Sequence, residues 1–148
     1  NDNNMHAELY MSSVMALKNY RTVDYAGTPH YYYTGISKYK SGDLKSALLL
    51  FKKASEIAPY HLGVLTNYMI TSANLNRFDL AEPIFNTIKR IYPLMAKPRL
   101  DMAKFYIKSG ELTKAENILI ELRDLNLDDN HGTLGRLNLY LNNIKNKN

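Results

Sequence analysis

The chain has 148 residues, 45% hydrophobic and 22% charged, with nineteen Lys and Arg against fourteen Asp and Glu for a net charge of +5. That length and balance describe one soluble globular domain with room for a core. The lack of cysteine excludes disulfides, thiolate chemistry and Cys-based zinc sites, and no apolar run reaches the roughly 18 residues that suggest a membrane-spanning helix.

Residues 1–4 are polar and read as a frayed end. From Met5 to about Tyr20, the residues Leu9, Val14, Met15, Leu17 and Tyr20 approximate a helical stripe. The first residue is asparagine and no leader is recognisable, so the chain reads as a segment of something longer and its targeting stays open. A short connection over 23–27 leads to Thr28-Pro29, where Pro29 suits a first helical position and Thr28 a capping one.

Between Thr28 and Asp129 one pattern runs three times. Ala47, Phe51 and Pro59 recur at a constant period as Ala81, Phe85 and Pro93, and again as Ala115, Leu119 and Leu127. The turns keep the same period at Gly42, Asn76 and Gly110. Each unit is predicted to be two helices: Gly42 ends one and Asp43 caps the next. Leu44, Ala47, Leu48, Phe51, Ala54 and Ile57 give the second helix an i, i+3, i+4, i+7 face. Gly35 and Ala47 are expected to face each other and bring their helices close. In the second unit Met69 stands where Gly35 did, which predicts a wider pair or a displaced Met69. Ala103 restores a small residue in the third. Asp128-Asp129-Asn130 is expected to cap a last helix from His131 to about Ile144, carrying Leu134, Leu137, Leu139, Leu141 and Ile144.

The 34-residue period, the small-x3-aromatic spacing and the closing proline resemble the tetratricopeptide repeat. The resemblance implies an all-α, right-handed α-solenoid of three helix–turn–helix repeats (28–61, 62–95 and 96–129). An N-terminal helix within 1–27 and a capping helix and polar tail over 130–148 flank them. In that register Ser13 takes the small position and Leu17 the aromatic one, so the first helix is either half of a degraded repeat or a plain cap.

No enzyme signature is present: no zinc-protease, phosphate-loop, nucleophile-elbow or dinucleotide motif. His6, His30, His61 and His131 have no ligand spacing, and pairs such as Glu116 with Glu121 lack a partner base. Neither catalytic residues, a metal nor a cofactor is expected.

In the family the first helix of each repeat lines a concave groove. First-helix segments here carry Lys38, Lys40, Lys97, Arg99, Lys104 and Lys108 against only Asp101, whereas second-helix segments balance. The groove positions implied by the resemblance are Tyr32, Ile36 and Tyr39; Thr66, Asn67, Ile70 and Ala73; and Lys97, Leu100, Lys104 and Lys108. Tyrosines and aliphatics beside a lysine stripe fit an acidic or amphipathic peptide or protein segment. Family members that grip acidic chaperone C-termini use a lysine, two asparagines, a further lysine and an arginine. Here only Asn67 and Lys97 match, with Tyr32, Ile36 and Asp101 standing in for the others, which argues against that mode.

The expected function is thus a non-enzymatic protein-interaction scaffold, with nucleic-acid stacking on the tyrosines a weaker reading. A rival comes from EIAPYHLGVLTNY, which is similar to repeat segments at the C-terminal ends of bacterial O-antigen ligase- or polymerase-like membrane proteins. It implies a soluble appendage of such a glycan ligase. The compartment, cytoplasmic or periplasmic, stays open between these readings.

Overall fold

The computed structural model describes residues 23, 24, 26–126 and 132–146, and their regular structure is helical apart from one isolated β-bridge between Val23 and Pro29. Seven helices follow in order: α1 (His30–Lys40), α2 (Leu44–Ile57), α3 (Leu62–Asn74), α4 (Phe78–Ile91), α5 (Ala96–Ser109), α6 (Leu112–Asp124) and α7 (Thr133–Lys145). The expected helix over 5–20 and the cap at Asp128 to Asn130 lie outside the described residues. The chain divides into two compact units, Asn1–His61 and Leu62–Asn148.

What sets the helix–turn–helix period is the backbone at three positions. Gly42, Asn76 and Gly110, each one repeat from the next, adopt left-handed conformations with φ of 84°, 56° and 83°. Such a residue stops one helix and turns the chain for the next. Asparagine is the side chain that tolerates this region best after glycine, so Asn76 replaces glycine without losing the turn. Asp43 then caps α2, its Oδ1 accepting from the Ser46 amide at 3.2 Å. Thr28 does not cap α1: its Oγ1 lies 3.3 Å from His61 Nε2, and Pro29 takes the capping position instead. Helix α4 runs through Pro83, which faces solvent, so the carbonyl left without a helical donor is not sealed in the core.

In the first unit, α1 packs on α2 around Ala47, Phe51 and Ala54, all fully buried. Gly35 was expected to meet Ala47, but its nearest neighbour is the Phe51 ring: a Cβ built there would stand 2.7 Å from Phe51 Cε1. The close approach therefore seats the Phe51 ring against Gly35. In the second unit the equivalent positions are Met69 with Phe85 and Ala103 with Leu119, all at most 4% exposed. Met69 is accommodated inside the core, not expelled from it.

The core of the second unit runs from Leu65 through Ala81, Phe85 and Ile88 to Ala103, Ala115, Leu119 and Leu122, and ends at Leu141 of α7. Helix α5 is enclosed by this arrangement. Between Pro98 and Ile107 every residue is buried except exposed Lys104 and half-buried Phe105. Helix α7 packs through Leu134, Leu137, Leu141 and Ile144. Leu139, expected on that face, is instead 66% exposed beside Tyr140 at 55%, so α7 turns two large apolar side chains to solvent. Removing the four packed residues from water is worth about 1.5–3 kcal/mol each when burial is complete, and less for the three that are half-buried.

Candidate functional site

Because α5 is buried nearly all round, what it shows to solvent is one narrow seam. Lys97, Asp101, Lys104 and Lys108 are spaced i, i+4, i+7 and i+11, which sets them on one face of a helix. Their counterparts in the preceding repeat, Gly63, Asn67, Ile70 and Asn74, are the half-buried strip of α3, the helix against which α5 packs. The same repeat register thus presents a polar-aliphatic strip on α3 and a charged one on α5.

The charges on α5 are not a bare cationic stripe. Asp101, 9% exposed, binds Lys97 Nζ at 2.6 Å through Oδ2 and lies 3.7 Å from Lys104 Nζ through Oδ1. The two lysine side chains are 71% and 50% exposed, so each reaches back from water to a fixed carboxylate. Lys108 is exposed, and its side chain has no ion pair or hydrogen bond among the described residues. On α3, Asn67 Nδ2 donates to the Gly63 carbonyl at 2.8 Å, and the Asn67 carbonyl accepts from Thr71 Oγ1 at 2.7 Å.

The remaining sequence-derived candidates are distributed as follows. Thr66 and Ile70 are half-buried on the α3 strip, with Ile70 also packed against the core. Ala73 is 2% exposed and Leu100 7%, so both serve packing and do not belong to the seam. Tyr32, Ile36 and Tyr39 lie on α1 in the first unit and are half-buried. Tyr32 stands between Phe51, His61 and Tyr33, with ring centroids 6.1, 5.9 and 5.5 Å away, so much of its ring contributes to that hairpin. Beside it, Tyr33 donates to Asp24 Oδ2 at 2.5 Å, and that bond leads the causes that hold the Asp24 carboxyl below its usual range.

Arg99 was counted among the groove cations, and the structure removes it. Its side chain is 3% exposed, with Nε bonding Glu121 Oε1 of α6 at 3.0 Å and Nη1 donating to the Met95 carbonyl at 2.9 Å. Lys89 of α4 reaches the same Glu121 at 3.4 Å. A second group lies alongside, where Tyr106 and Lys114 both donate to Glu82 Oε1 at 2.8 Å. The Lys114 bond, followed by that of Tyr106, lowers the Glu82 carboxyl, while burial and the same bond push the Tyr106 phenol up. Glu82, Phe85, Lys89, Tyr106, Lys114 and Ile118 line a shallow cleft of about 190 Å³ with Asn86. These charges tie α4, α5 and α6 together, so they report repeat packing. The sequence held a clue: Arg99 is the counterpart, one repeat on, of Leu65, which is 5% exposed, hence in a packing register.

Among the described residues no group of three or more His, Asp or Glu is placed to hold a metal ion. None of the described helices is long and apolar enough to cross a membrane.

No family model and no curated protein sequence matches the chain. Solved structures do match. The first tetratricopeptide-repeat domain of Spaghetti (RPAP3), bound to the HSP90 peptide SRMEEVD, superposes with a TM-score of 0.68 at 18% identity, over 83% of this chain and 96% of that one. The Yersinia enterocolitica type III secretion chaperone SycD, in complex with a peptide of the translocator YopD, gives 0.66 at 19% identity, over 79% and 91%. MamA AMB-1 gives 0.62 at 20% identity, over 95% and 76%. The evenly spaced turns, the buried positions of Ala47 and Phe51, Ala81 and Phe85, and Ala115 and Leu119, and these superpositions show that the chain has the fold of a tetratricopeptide-repeat domain.

Proposed function

We propose that this domain is a non-enzymatic scaffold that holds a peptide or protein segment along the α3–α5 seam, and that the segment is amphipathic with an acidic group. The observation that carries this reading is the exposure pattern of α5: a helix otherwise enclosed by its neighbours turns three lysines to water on one face. Ile70 and Thr66 of α3 offer the apolar side of the contact, while Lys104 and Lys108 offer the basic end. Exposed lysines cost little to desolvate in part and give a complementary partner its orientation more than its affinity. Tyr32, Ile36 and Tyr39 are proposed as contacts of the first hairpin in its own right. Two of the superposed structures, those of RPAP3 and SycD, hold peptides, which supports a peptide as the ligand class.

The test is capture of partners from a lysate by the parent protein and by a Lys104→Glu/Lys108→Glu variant, with helicity checked in both. The variant is expected to lose the partners that the parent holds. Binding to the parent should also weaken as salt rises, since exposed charges are screened beyond ~8 Å at physiological ionic strength. Identical partner sets from both proteins would contradict the reading.

A further inference from the structure

Asp101 is the one acidic residue on an otherwise basic seam, and its position is fixed. Its side chain is 12% exposed, held by the enclosed helix, and set one turn after Lys97 and one turn before Lys104. A carboxylate on the helix meets these ammonium groups without losing any translational freedom, so it acts as an internal ligand at high effective concentration. A peptide carboxylate approaching Lys97 meets an ammonium already paired at 2.6 Å and must also come close to a second negative charge. Lys108 carries no such occupant among the described residues.

We infer that Asp101 is the specificity-determining residue of the seam: it engages Lys97 closely and Lys104 more loosely, so acids are disfavoured beside Lys97 and accepted best towards Lys108. The inference rests on the seam being the binding face. It deepens that reading by naming the ligand class: a segment with a single acid that reaches Lys108 and an amide, hydroxyl or cation opposite Asp101, as opposed to a run of acids. The repeat register shows that the position accepts the neutral isostere, because the same place in the preceding repeat is Asn67. Asp101→Asn should therefore fold as the parent does, with both lysines released to water and not stranded in the core.

The experiment uses a fluorescently labelled hexaglutamate peptide as a carboxylate probe, titrated by anisotropy into the full chain at fixed salt. Asp101→Asn is expected to bind it roughly five- to tenfold more tightly than the parent, the scale of one or two exposed ion pairs gained. Adding Lys97→Gln to Asp101→Asn should remove most of that gain. Glu111→Gln, which changes net charge equally at an exposed residue of the α5–α6 turn that forms no ion pair with a seam lysine, should leave affinity within about twofold. Lys108→Gln should weaken binding in both backgrounds. Loss of affinity on Lys108→Gln with no gain on Asp101→Asn overturns the role of Asp101 alone. Indifference to both substitutions overturns that role together with the seam reading. An equal gain from Glu111→Gln also overturns it, since net charge would then be the cause.

Discussion

Two ion clusters share helix α5 and differ in almost everything else. Arg99 is 3% exposed and bridges to Glu121 of α6, with Lys89 of α4 joining from the other side. Two residues along the helix, Asp101 gathers Lys97 and Lys104 from its own helix, and the lysine side chains stand mostly in water. The first cluster connects three helices across a repeat boundary and belongs to folding. The second connects nothing but its own turns, so it adds little to the packing of the repeats. Formal charge does not separate the two roles; the direction in which each residue leaves the helix does.

The largest effect should come from breaking the first cluster. Glu121→Ala leaves the Arg99 guanidinium buried with, among the described residues, the Met95 carbonyl as its remaining partner. Severing a buried pair costs several kcal/mol, but the Glu121 side chain is 32% exposed, which trims the loss to about 2–3 kcal/mol. Asp101→Asn is the matched change in the second cluster, and it should shift stability by no more than about 0.5 kcal/mol. Thermal or denaturant unfolding of both variants measures the contrast directly. Equal losses would mean that both clusters are structural.

A smaller effect sharpens the packing half of the contrast in the first hairpin. Gly35→Ala places a methyl 2.7 Å from the Phe51 ring and should cost roughly 1–3 kcal/mol by overpacking. Adding Phe51→Leu reproduces the Ala103 and Leu119 combination that the third repeat buries without strain. The double variant should then recover part of the loss, so its two changes will not be additive. A double variant less stable than the sum of its parts would show that the repeats do not share one joint geometry.

Much of this was legible from periodicity. Ala47, Phe51 and Ala54, Ala81 and Phe85, and Ala115 and Leu119 fall in the core as their spacing required. The three turn positions were legible because only a few side chains accept a left-handed backbone. Arg99 was misplaced for a physical reason. A middle helix of a stacked array is buried on three sides, so the usual rule that a charged residue faces solvent fails wherever a partner such as Glu121 crosses from a neighbouring helix. Asp101 was read as a mismatch within a basic groove, although its lysines at i−4 and i+3 already predicted an internal pair. Leu139 was assigned to the packing face by hydrophobicity alone, whereas its neighbours Leu137 and Leu141 define that face.

The claim that binding belongs to the seam and not to the α4–α6 side is tested most directly by amide NMR of the full chain. The ligand is an amphipathic peptide bearing one glutamate, added in steps. The account predicts that shifts concentrate at Thr66, Ile70, Lys104 and Lys108, with Glu82, Lys89, Lys114 and Glu121 unmoved. Shifts centred on Glu82, Lys89 and Lys114, with the α5 lysines silent, would contradict it.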